Sequence, residues 1–445
     1  MYKTGIWARS FCLQMGRMML DDWRGRLKNY ASKAVELNKQ AGLSAKWQLF
    51  VFACVIVAIY SREPSLFTHA QFFAEDGRNW YAEAYNLGWF HSLEELQVGY
   101  FCVVQRLGAA VSLWVPLKFA PLVMALIGMV VQWLPVAILL SPRCCQLAPL
   151  TTRILFAALY LELPNAGEIH VVLTNTMWHL ALAGILLAVS SAPKGWFGRF
   201  FDSFVMLLAG LSGPFCILIT PIVFIFWWLR RQSWSLVILA ISAGSMSAQV
   251  FLLMRYGGER AVHILGATPQ LFVRIVGGNV FGGAMLGGHK FAVLLPFGVL
   301  LVIFVGGVGI CAYCLRHASL ELKLVVVFCL ALLLAGLRSP LVFESLPLWQ
   351  TLAFSGDSRY WFFGSLAFVW ASSWCALQAR ARPFRLAGTL VLSCMLVGLL
   401  TGWRYKAYPD EHFDFYVQQV QNAKPGQHVI IPIVPVPWTM ELVKK

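Results

Sequence analysis

The sequence predicts an all-α polytopic membrane protein with about eleven transmembrane helices, a cytoplasmic N-terminus and a C-terminus on the outer side. Composition is the first reason: of 445 residues, 59% are hydrophobic and 12% are charged, and the mean hydropathy is +0.68. Soluble domains carry about 25% charged residues. The second reason is a series of apolar runs between residues 47 and 402, and the third is the unequal charge of the loops that join them.

The first 46 residues hold nine Lys or Arg and three Asp or Glu, and they contain no apolar core. This pattern predicts a basic amphipathic segment on the cytoplasmic face and not a signal peptide. A net charge of +15 could also indicate a nucleic-acid partner. Because the positive charges are concentrated here and in short loops between apolar runs, we expect no nucleic-acid binding.

Eleven apolar runs are predicted to span the membrane, and several are shorter than the roughly 20 residues that cross a full hydrocarbon core. The segment Leu211–Phe215 (Leu-Ser-Gly-Pro-Phe) divides one long run into two short helices, which is tolerated where helices line a cavity. The predicted spans are 47–60, 121–140, 153–164, 173–190, 201–212, 214–229, 234–254, 291–315, 322–337, 360–378 and 386–402.

The first outer loop, 61–120, contains a stretch, 101–117, that is apolar enough to suggest a further span. Gln105 and Arg106 stand near its start and Pro116 near its end. We therefore expect an interfacial helix that leads into the second span. A true span at this point would invert every later loop.

The positions of the acidic residues support this orientation, because cytoplasmic loops are enriched in Lys and Arg. Fifteen of the 20 acidic residues fall on the outer side, and five fall inside: Asp21, Asp22, Glu36, Asp202 and Glu321. The same topology leaves outer loops at 255–290 and 338–358 and a small outer tail at 403–445. Within the tail, alternating apolar residues and prolines at 429–438 predict a short edge-like β segment packed on the outer face.

The tetrapeptide Ala74-Glu75-Asp76-Gly77 carries two adjacent carboxylates in the first outer loop. Charged groups beside a bilayer are costly and mark functional sites. A carboxylate held near a hydroxyl can remove its proton, and a second acid can raise the pKa of the first or orient the acceptor. Glu75 and Asp76 are therefore candidate catalytic residues. The alternative is that they cap the N-terminus of the following helix.

A second polar group lies at the outer end of a short span and contains Glu168, His170, Asn175, Trp178 and His179. These residues could hold sugar hydroxyls in a water-filled site, since polar groups at membrane depth face such cavities. Hydrogen bonding between helices is the alternative. Glu168 and His170 also resemble half of a metal site, so a divalent cation stays possible, although the sequence offers no third ligand.

The outer loops also hold cations that could bind a phosphate, which needs fixed positive charge at the depth of the headgroups. Arg359 stands first, because it opens a helix beside the aromatic residues Tyr360 and Trp361, and Tyr360 joins it in the predicted phosphate-binding group. Arg338 and Lys290 follow. The alternative is ordinary anchoring of a helix end by Arg and aromatic residues at the interface.

In these features the chain resembles the GT-C superfamily of polytopic glycosyltransferases, over most of residues 47–440. Such enzymes have an acidic motif just after the first span, which is Glu75-Asp76 here. The chain is also similar to a bacterial subgroup in further short motifs, and the most specific resemblance within that subgroup is to the pilin arabinosyltransferases. The motifs are Gly99-Tyr100 with Arg106, Leu173-Thr-Asn-Thr-Met-Trp178, Leu211-Ser-Gly-Pro-Phe215, Arg359-Tyr360 and Ile431-Pro-Ile-Val-Pro-Val-Pro-Trp438.

The resemblance implies a multi-pass protein of the bacterial inner membrane whose site faces the periplasm. Its expected partners are a polyprenyl-phosphate-linked sugar, membrane lipid, and a periplasmic acceptor, namely pilin Ser/Thr, O-antigen or another envelope glycan. Asp76 is then the expected base with Glu75 beside it. Tyr100 joins the sugar-binding group, and Glu168 fits a further acid of some members. Arabinofuranose is the sugar that the pilin enzymes imply.

The expected reaction is a single inverting displacement in which Asp76 deprotonates the acceptor and Arg359 holds the phosphate, with Arg338 or Lys290 helping. The alternative function is a flippase or transporter of lipid-linked sugar. A transporter predicts charged residues near the midplane of several helices, whereas the charges here concentrate at the outer mouth. A non-catalytic scaffold would leave the paired acids without a role.

Overall fold

The computed structural model describes residues 45–257, 264–287, 294–340, 347–354 and 359–445. Nearly all of the predicted basic segment 1–46 and the candidate Lys290 therefore lie outside the described residues. The described α-helices of ten or more residues are α1 (Ala45–Arg62), α2 (Val103–Ser112), α3 (Ala120–Leu140), α4 (Leu150–Glu162), α5 (Thr176–Val189), α6 (Trp196–Leu211), α7 (Cys216–Arg230), α8 (Ser233–Tyr256), α9 (Phe297–His317), α10 (Leu320–Arg338), α11 (Trp361–Gln378), α12 (Arg382–Gly402) and α13 (Phe413–Asn422).

Shorter elements connect these helices and the chain ends in a β hairpin. The short α-helices are Ser65–Thr68, Ala82–Leu87, Trp89–Ser92, Pro269–Val273, Gly283–Leu286 and Leu348–Phe354. Two π-helices occupy Asp76–Tyr81 and Arg274–Gly282, and 3₁₀ turns occupy Leu117–Phe119, Pro142–Cys144 and Gly167–Ile169. The strands are β1 (His428–Pro432) and β2 (Thr439–Val443).

The predicted all-α membrane class agrees with this architecture, and each predicted span overlaps one of the described helices. Among the described residues, five helices are long and apolar enough to cross a membrane: α3 with its preceding turn, α8, α9, α10 and α12. On α12, Leu386, Leu390 and Leu400 are exposed, as expected for side chains that face lipid. The number of spans and their orientation stay predictions.

Helices α5 and α11 form the centre of the bundle, because nearly all of their side chains are buried. A helix that is apolar all round belongs in such an interior. Helix α5 packs against α3, α6 and α7, and α11 packs against α4, α9, α10 and α12. The first residues of α5 and α11 lie close together at one end of the bundle, where Trp178 contacts Tyr360 with 6.2 Å between ring centroids.

The segments predicted to lie outside meet at this same end. The Tyr405 N–H donates to the Arg62 carbonyl (2.9 Å), and the Arg359 N–H donates to the Glu168 carboxylate (2.6 Å). The segments predicted to lie inside meet at the opposite end, where Arg143 pairs with Asp202 (2.8 Å). Each of these contacts joins segments that the sequence predicts to lie on the same side of the membrane.

Helix α2 lies in the apolar stretch 101–117, for which the sequence predicts an interfacial helix and suggests a membrane span as the alternative. It has ten residues, about 15 Å at 1.5 Å per residue, which is too short to cross a bilayer. Its polar side chains Gln105 and Arg106 are buried in the protein, while Leu107 and the nearby Trp114 are exposed. Arg106 pairs with Glu83 and lies over the Trp80 ring.

The C-terminal tail packs on the acidic motif. Strands β1 and β2 are antiparallel, with His428 opposite Val443. The chain after β1 then pairs with the first loop, since the Ala74 N–H donates to the Val434 carbonyl at 2.6 Å. Gly77 allows this approach, because a Cβ there would lie 2.9 Å from Ile433 Cδ1. A strand therefore covers the first part of the predicted segment 429–438, and the chain after it packs on the motif.

Candidate functional site

A cavity of about 370 Å³ opens at the end of the bundle where α5 and α11 begin. Its wall combines the first loop, the segment before α5, the break between α6 and α7, and the ends of α8, α10 and α11. Six of the sequence-predicted site residues lie on this wall: Glu75, Tyr100, Asn175, Trp178, Arg359 and Tyr360.

A large part of the cavity wall is apolar. It is formed by residues of α7, α8 and α10 and by the break that precedes α7: Pro214, Phe215, Ile217, Leu218, Leu253, Leu332, Ala335 and Gly336. The break depends on Gly213, whose φ of 133° is a conformation that side chains rarely adopt. The cavity therefore combines charged groups with a hydrocarbon-like surface.

Glu75 lies on the cavity wall and directly precedes the π-helix Asp76–Tyr81. Its predecessor Ala74 has a φ of 38°, and Val98, also on the wall, has a φ of 51°. Positive φ is unusual for Ala and a clear outlier for a β-branched residue. Such strain and π-helical turns cluster at functional sites, which makes this part of the first loop a candidate for substrate contact.

Asp76 is not on the cavity wall but is buried against the segment that leads into α5. Its carboxylate accepts hydrogen bonds from the Leu173 N–H (3.1 Å), the Thr174 N–H (2.7 Å) and the Thr174 hydroxyl (2.5 Å). Burial raises the pKa of Asp76 to about 7, against the lowering effect of these bonds. The side chain does not cap its own helix; it fastens the first loop to α5.

Arg359 and Glu168 form a pair in which the carboxylate receives two donors. The Glu168 oxygens accept from the Arg359 backbone N–H and from its guanidinium, both at 2.6 Å. Burial alone lowers the pKa of Arg359, but the interactions with Glu168, Tyr360 and, more weakly, Glu75 leave it raised overall. The negative charge of Glu75 therefore contributes to the electrostatic environment of Arg359.

Asn175 and Trp178 bring unsatisfied polar atoms to the edge of the cavity. Asn175 Nδ2 donates to the Glu168 carbonyl (2.8 Å). Asn175 Oδ1 and Trp178 Nε1 are buried and have no hydrogen-bond partner among the described residues. A buried polar atom without a partner costs about 1–3 kcal/mol, so a bound polar ligand that reached these atoms would recover part of that cost.

His170 and His179 lie away from the cavity wall. His170 bonds to Gln132 (3.2 Å) and the Ile59 carbonyl (3.0 Å), and burial lowers its pKa to about 3. His179 bonds to the Tyr160 hydroxyl (2.7 Å) and the Ile169 carbonyl (3.0 Å). Both make the helix-to-helix bonds that the sequence offered as the alternative to sugar binding.

Glu168 and His170 do not converge into half of a metal site, since one carboxylate holds Arg359 and the histidine bonds elsewhere. Within the described ranges, no group of three or more His, Cys, Asp or Glu could hold a metal ion. Arg338 is the exposed last residue of α10 and does not line the cavity, although Ser339 beside it does. Lys290 lies outside the described residues.

Trp80, Gln97, Val98 and Thr174 also line the cavity and were not predicted as site residues. Trp80 Nε1 donates to the Thr174 hydroxyl (2.8 Å), and Gln105 Nε2 donates to the Thr174 carbonyl (3.0 Å). Thr174 stands inside a motif that the sequence singled out, so its position was a usable signal. The bend at Val98 carries no such signal, because valine is a poor predictor of positive φ.

Comparison with protein-family models finds no match to this chain, and comparison with curated proteins finds none either. A functional assignment therefore depends on the residues and geometry of the cavity.

Proposed function

We propose that this protein is a membrane glycosyltransferase that moves one sugar from a polyprenyl-phosphate donor to an acceptor hydroxyl on the periplasmic side of a bacterial inner membrane. The observation that carries the proposal is the cavity itself. A carboxylate, Glu75, and a cation, Arg359, line the same space together with neutral polar side chains, and a large part of the remaining wall is apolar. A lipid-linked sugar likewise combines an anionic, polar head with a hydrocarbon tail.

In this proposal the donor phosphate binds Arg359, because a guanidinium offers several N–H donors in a geometry that suits phosphate oxygens. The tail lies along the apolar wall formed by Leu218, Leu253 and Leu332. Arg338, exposed at the end of α10, is close enough in sequence to the wall residue Ser339 to assist at the mouth.

Glu75 is the better candidate for the base, in place of Asp76. A general base must reach the proton that it removes, and Glu75 lies on the cavity wall, whereas both Asp76 oxygens are engaged by Leu173 and Thr174. The sequence alone could not separate these neighbours. Accessibility within the fold favours Glu75.

The proposed reaction is one displacement with inversion. The acceptor hydroxyl gives its proton to Glu75, and its oxygen forms a bond to the anomeric carbon of the sugar. The bond between that carbon and the phosphate oxygen breaks, and its electron pair leaves with the lipid phosphate. Positive charge at Arg359 stabilises the charge that develops on this phosphate, and the proton on Glu75 then passes to water.

The sugar would lie between Glu75 and Arg359, beside Tyr100, Asn175 and Trp178. Aromatic faces and neutral amides are suited to a ring rich in hydroxyls. Arabinofuranose, with pilin Ser/Thr, O-antigen or another envelope glycan as acceptor, is the specific form that the resemblance to pilin enzymes suggests.

The experiment is a comparison of intact masses of surface proteins and glycans from cells with the wild-type protein, Glu75→Gln, Glu94→Gln and no protein. Glu94 is an exposed carboxylate of the same loop that does not line the cavity. We expect a fixed sugar-sized mass to be lost in Glu75→Gln and in the deletion, and kept in Glu94→Gln. Full retention in Glu75→Gln, with loss in the deletion, would instead favour transport of the lipid-linked sugar.

A further inference from the structure

We infer that Thr174 is a positioning residue at the centre of a hydrogen-bonded frame that fixes Glu75 and Arg359 on the cavity wall. The inference rests on the proposed function and deepens it. Asp76 and Glu168 are links of this frame and hold the reacting groups in place. Thr174, which connects them, gains a function that its small, neutral side chain does not suggest.

The first half of the frame joins Glu75 to Thr174. Glu75 is joined by a peptide bond to Asp76. The Asp76 carboxylate accepts hydrogen bonds from the Thr174 N–H (2.7 Å) and the Thr174 hydroxyl (2.5 Å). The same hydroxyl oxygen accepts from Trp80 Nε1 at 2.8 Å. The Thr174 carbonyl accepts from Gln105 Nε2 at 3.0 Å. Every polar atom of Thr174 is therefore engaged in these four hydrogen bonds, and all three partner residues come from the first loop.

The second half joins Thr174 to Arg359. Thr174 is bonded through one peptide to Asn175, whose Nδ2 donates to the Glu168 carbonyl at 2.8 Å. The Glu168 carboxylate then receives the backbone N–H and the guanidinium of Arg359, both at 2.6 Å. The complete path runs from the first loop through the residues before α5 to Arg359, just before α11.

This arrangement explains why Asp76 and Glu168 form hydrogen bonds within the protein while Glu75 and Arg359 line the cavity. A displacement reaction needs its base and its phosphate-binding group at a fixed separation, and a misplacement of about 1 Å can reduce the rate about a hundredfold. Residues Glu75 and Arg359 come from separate segments of the chain, and the Thr174 frame ties them without entering the reaction.

The experiment compares Thr174→Val with Thr174→Ser in cells, using the modified fraction of the acceptor as the readout. Valine keeps the shape of threonine but removes the hydroxyl, whereas serine keeps the hydroxyl. We expect the modified fraction to fall about ten- to a hundredfold in Thr174→Val at matched expression, and to stay near wild type in Thr174→Ser. Trp80→Phe, which removes the N–H donor to this hydroxyl together with part of a buried ring, should lie between them.

Two measurements on the purified variants separate positioning from loss of fold. Undecaprenyl phosphate binding, measured by native mass spectrometry, should be unchanged in Thr174→Val, because Glu168 still holds Arg359. Hydrogen exchange at residues 171–178 should accelerate. Equal modification by Thr174→Val and wild type, with Glu75→Gln inactive, would overturn the frame and leave the proposed function in place. If Thr174→Val does not fold, wild-type modification by Trp80→Phe overturns the frame, and no mass difference between wild type and deletion overturns the proposed function itself.

Discussion

At the scale of single residues, Glu75 and Asp76 are adjacent carboxylates in different surroundings. Glu75 borders the cavity, and Asp76 is enclosed by the Leu173 and Thr174 donors. Sequence could predict that the pair matters, since two acids beside a bilayer need a reason. It could not predict which of the two reaches the cavity, because that depends on the strained backbone at Ala74 and on the partner segment before α5.

The buried state of Asp76 predicts a pH-dependent stability. Its pKa is raised from 3.8 to about 7, so between those values the folded protein binds a proton that the unfolded chain has lost. The free energy of unfolding should therefore fall as pH rises from about 4 to 7, by up to about 4 kcal/mol, and this contribution should level off above pH 7. Asp76→Asn should lack this component. Thermal unfolding of both proteins in detergent from pH 5 to 8 would measure it, and parallel curves would contradict it.

The same contrast separates the other predicted residues. Tyr100, Asn175, Trp178 and Arg359 lie on the cavity wall as sequence position suggested. His179 lies on the same helix as Trp178 but bonds to Tyr160 in the interior. Helical spacing groups residues on a face, yet it cannot say whether that face meets a cavity or a neighbouring helix.

At the scale of elements, helix α3 packs directly on the segment that carries Thr174 and Asn175. A Cβ at Gly128 of α3 would lie 2.1 Å from the Val171 carbonyl oxygen. Val171 has a φ of 60°, so this segment is already held in an unusual conformation. Gly128 and Val171 are far apart in sequence and meet only in the folded protein, so the glycine is the only sign of this contact in the sequence.

Gly128→Ala should therefore destabilise the protein by about 1–3 kcal/mol, the range typical of overpacking, and should reduce sugar transfer by displacing the segment before α5. Gly244→Ala on α8 is the control, because nothing lies within 4 Å of a Cβ there and alanine favours a helix. Thermal unfolding and the modified fraction of the acceptor are the measurements. Equal behaviour of the two variants would show that α3 does not set the position of this segment.

At the scale of the whole molecule, the helices follow the apolar runs closely, as in α10 (Leu320–Arg338) for the predicted span 322–337. Hydropathy predicts such helices well because each must satisfy its own backbone hydrogen bonds in lipid. The cavity is less predictable, since its wall is assembled from six separate parts of the chain.

The predicted division of the loops between two sides of the membrane implies opposite accessibility for two exposed lysines, Lys194 and Lys424. If the cavity faces the periplasm, a membrane-impermeant maleimide should label Lys424→Cys in cells with a permeabilised outer membrane. Lys194→Cys should be labelled only after the inner membrane is opened. Labelling in the reverse order would contradict the predicted orientation and show that the cavity faces the cytoplasm.

In the proposed mechanism, Arg359 binds the lipid phosphate and Glu75 removes the proton of the acceptor hydroxyl in the same cavity. Native mass spectrometry of undecaprenyl phosphate binding tests it most directly, with wild type, Glu75→Gln, Arg359→Gln and, as an exposed cation at the same end, Arg255→Gln. We predict that Arg359→Gln loses at least about tenfold in affinity, equivalent to 1.4 kcal/mol, while Glu75→Gln and Arg255→Gln bind as wild type. Wild-type binding by Arg359→Gln would contradict the assignment of the phosphate to this cavity.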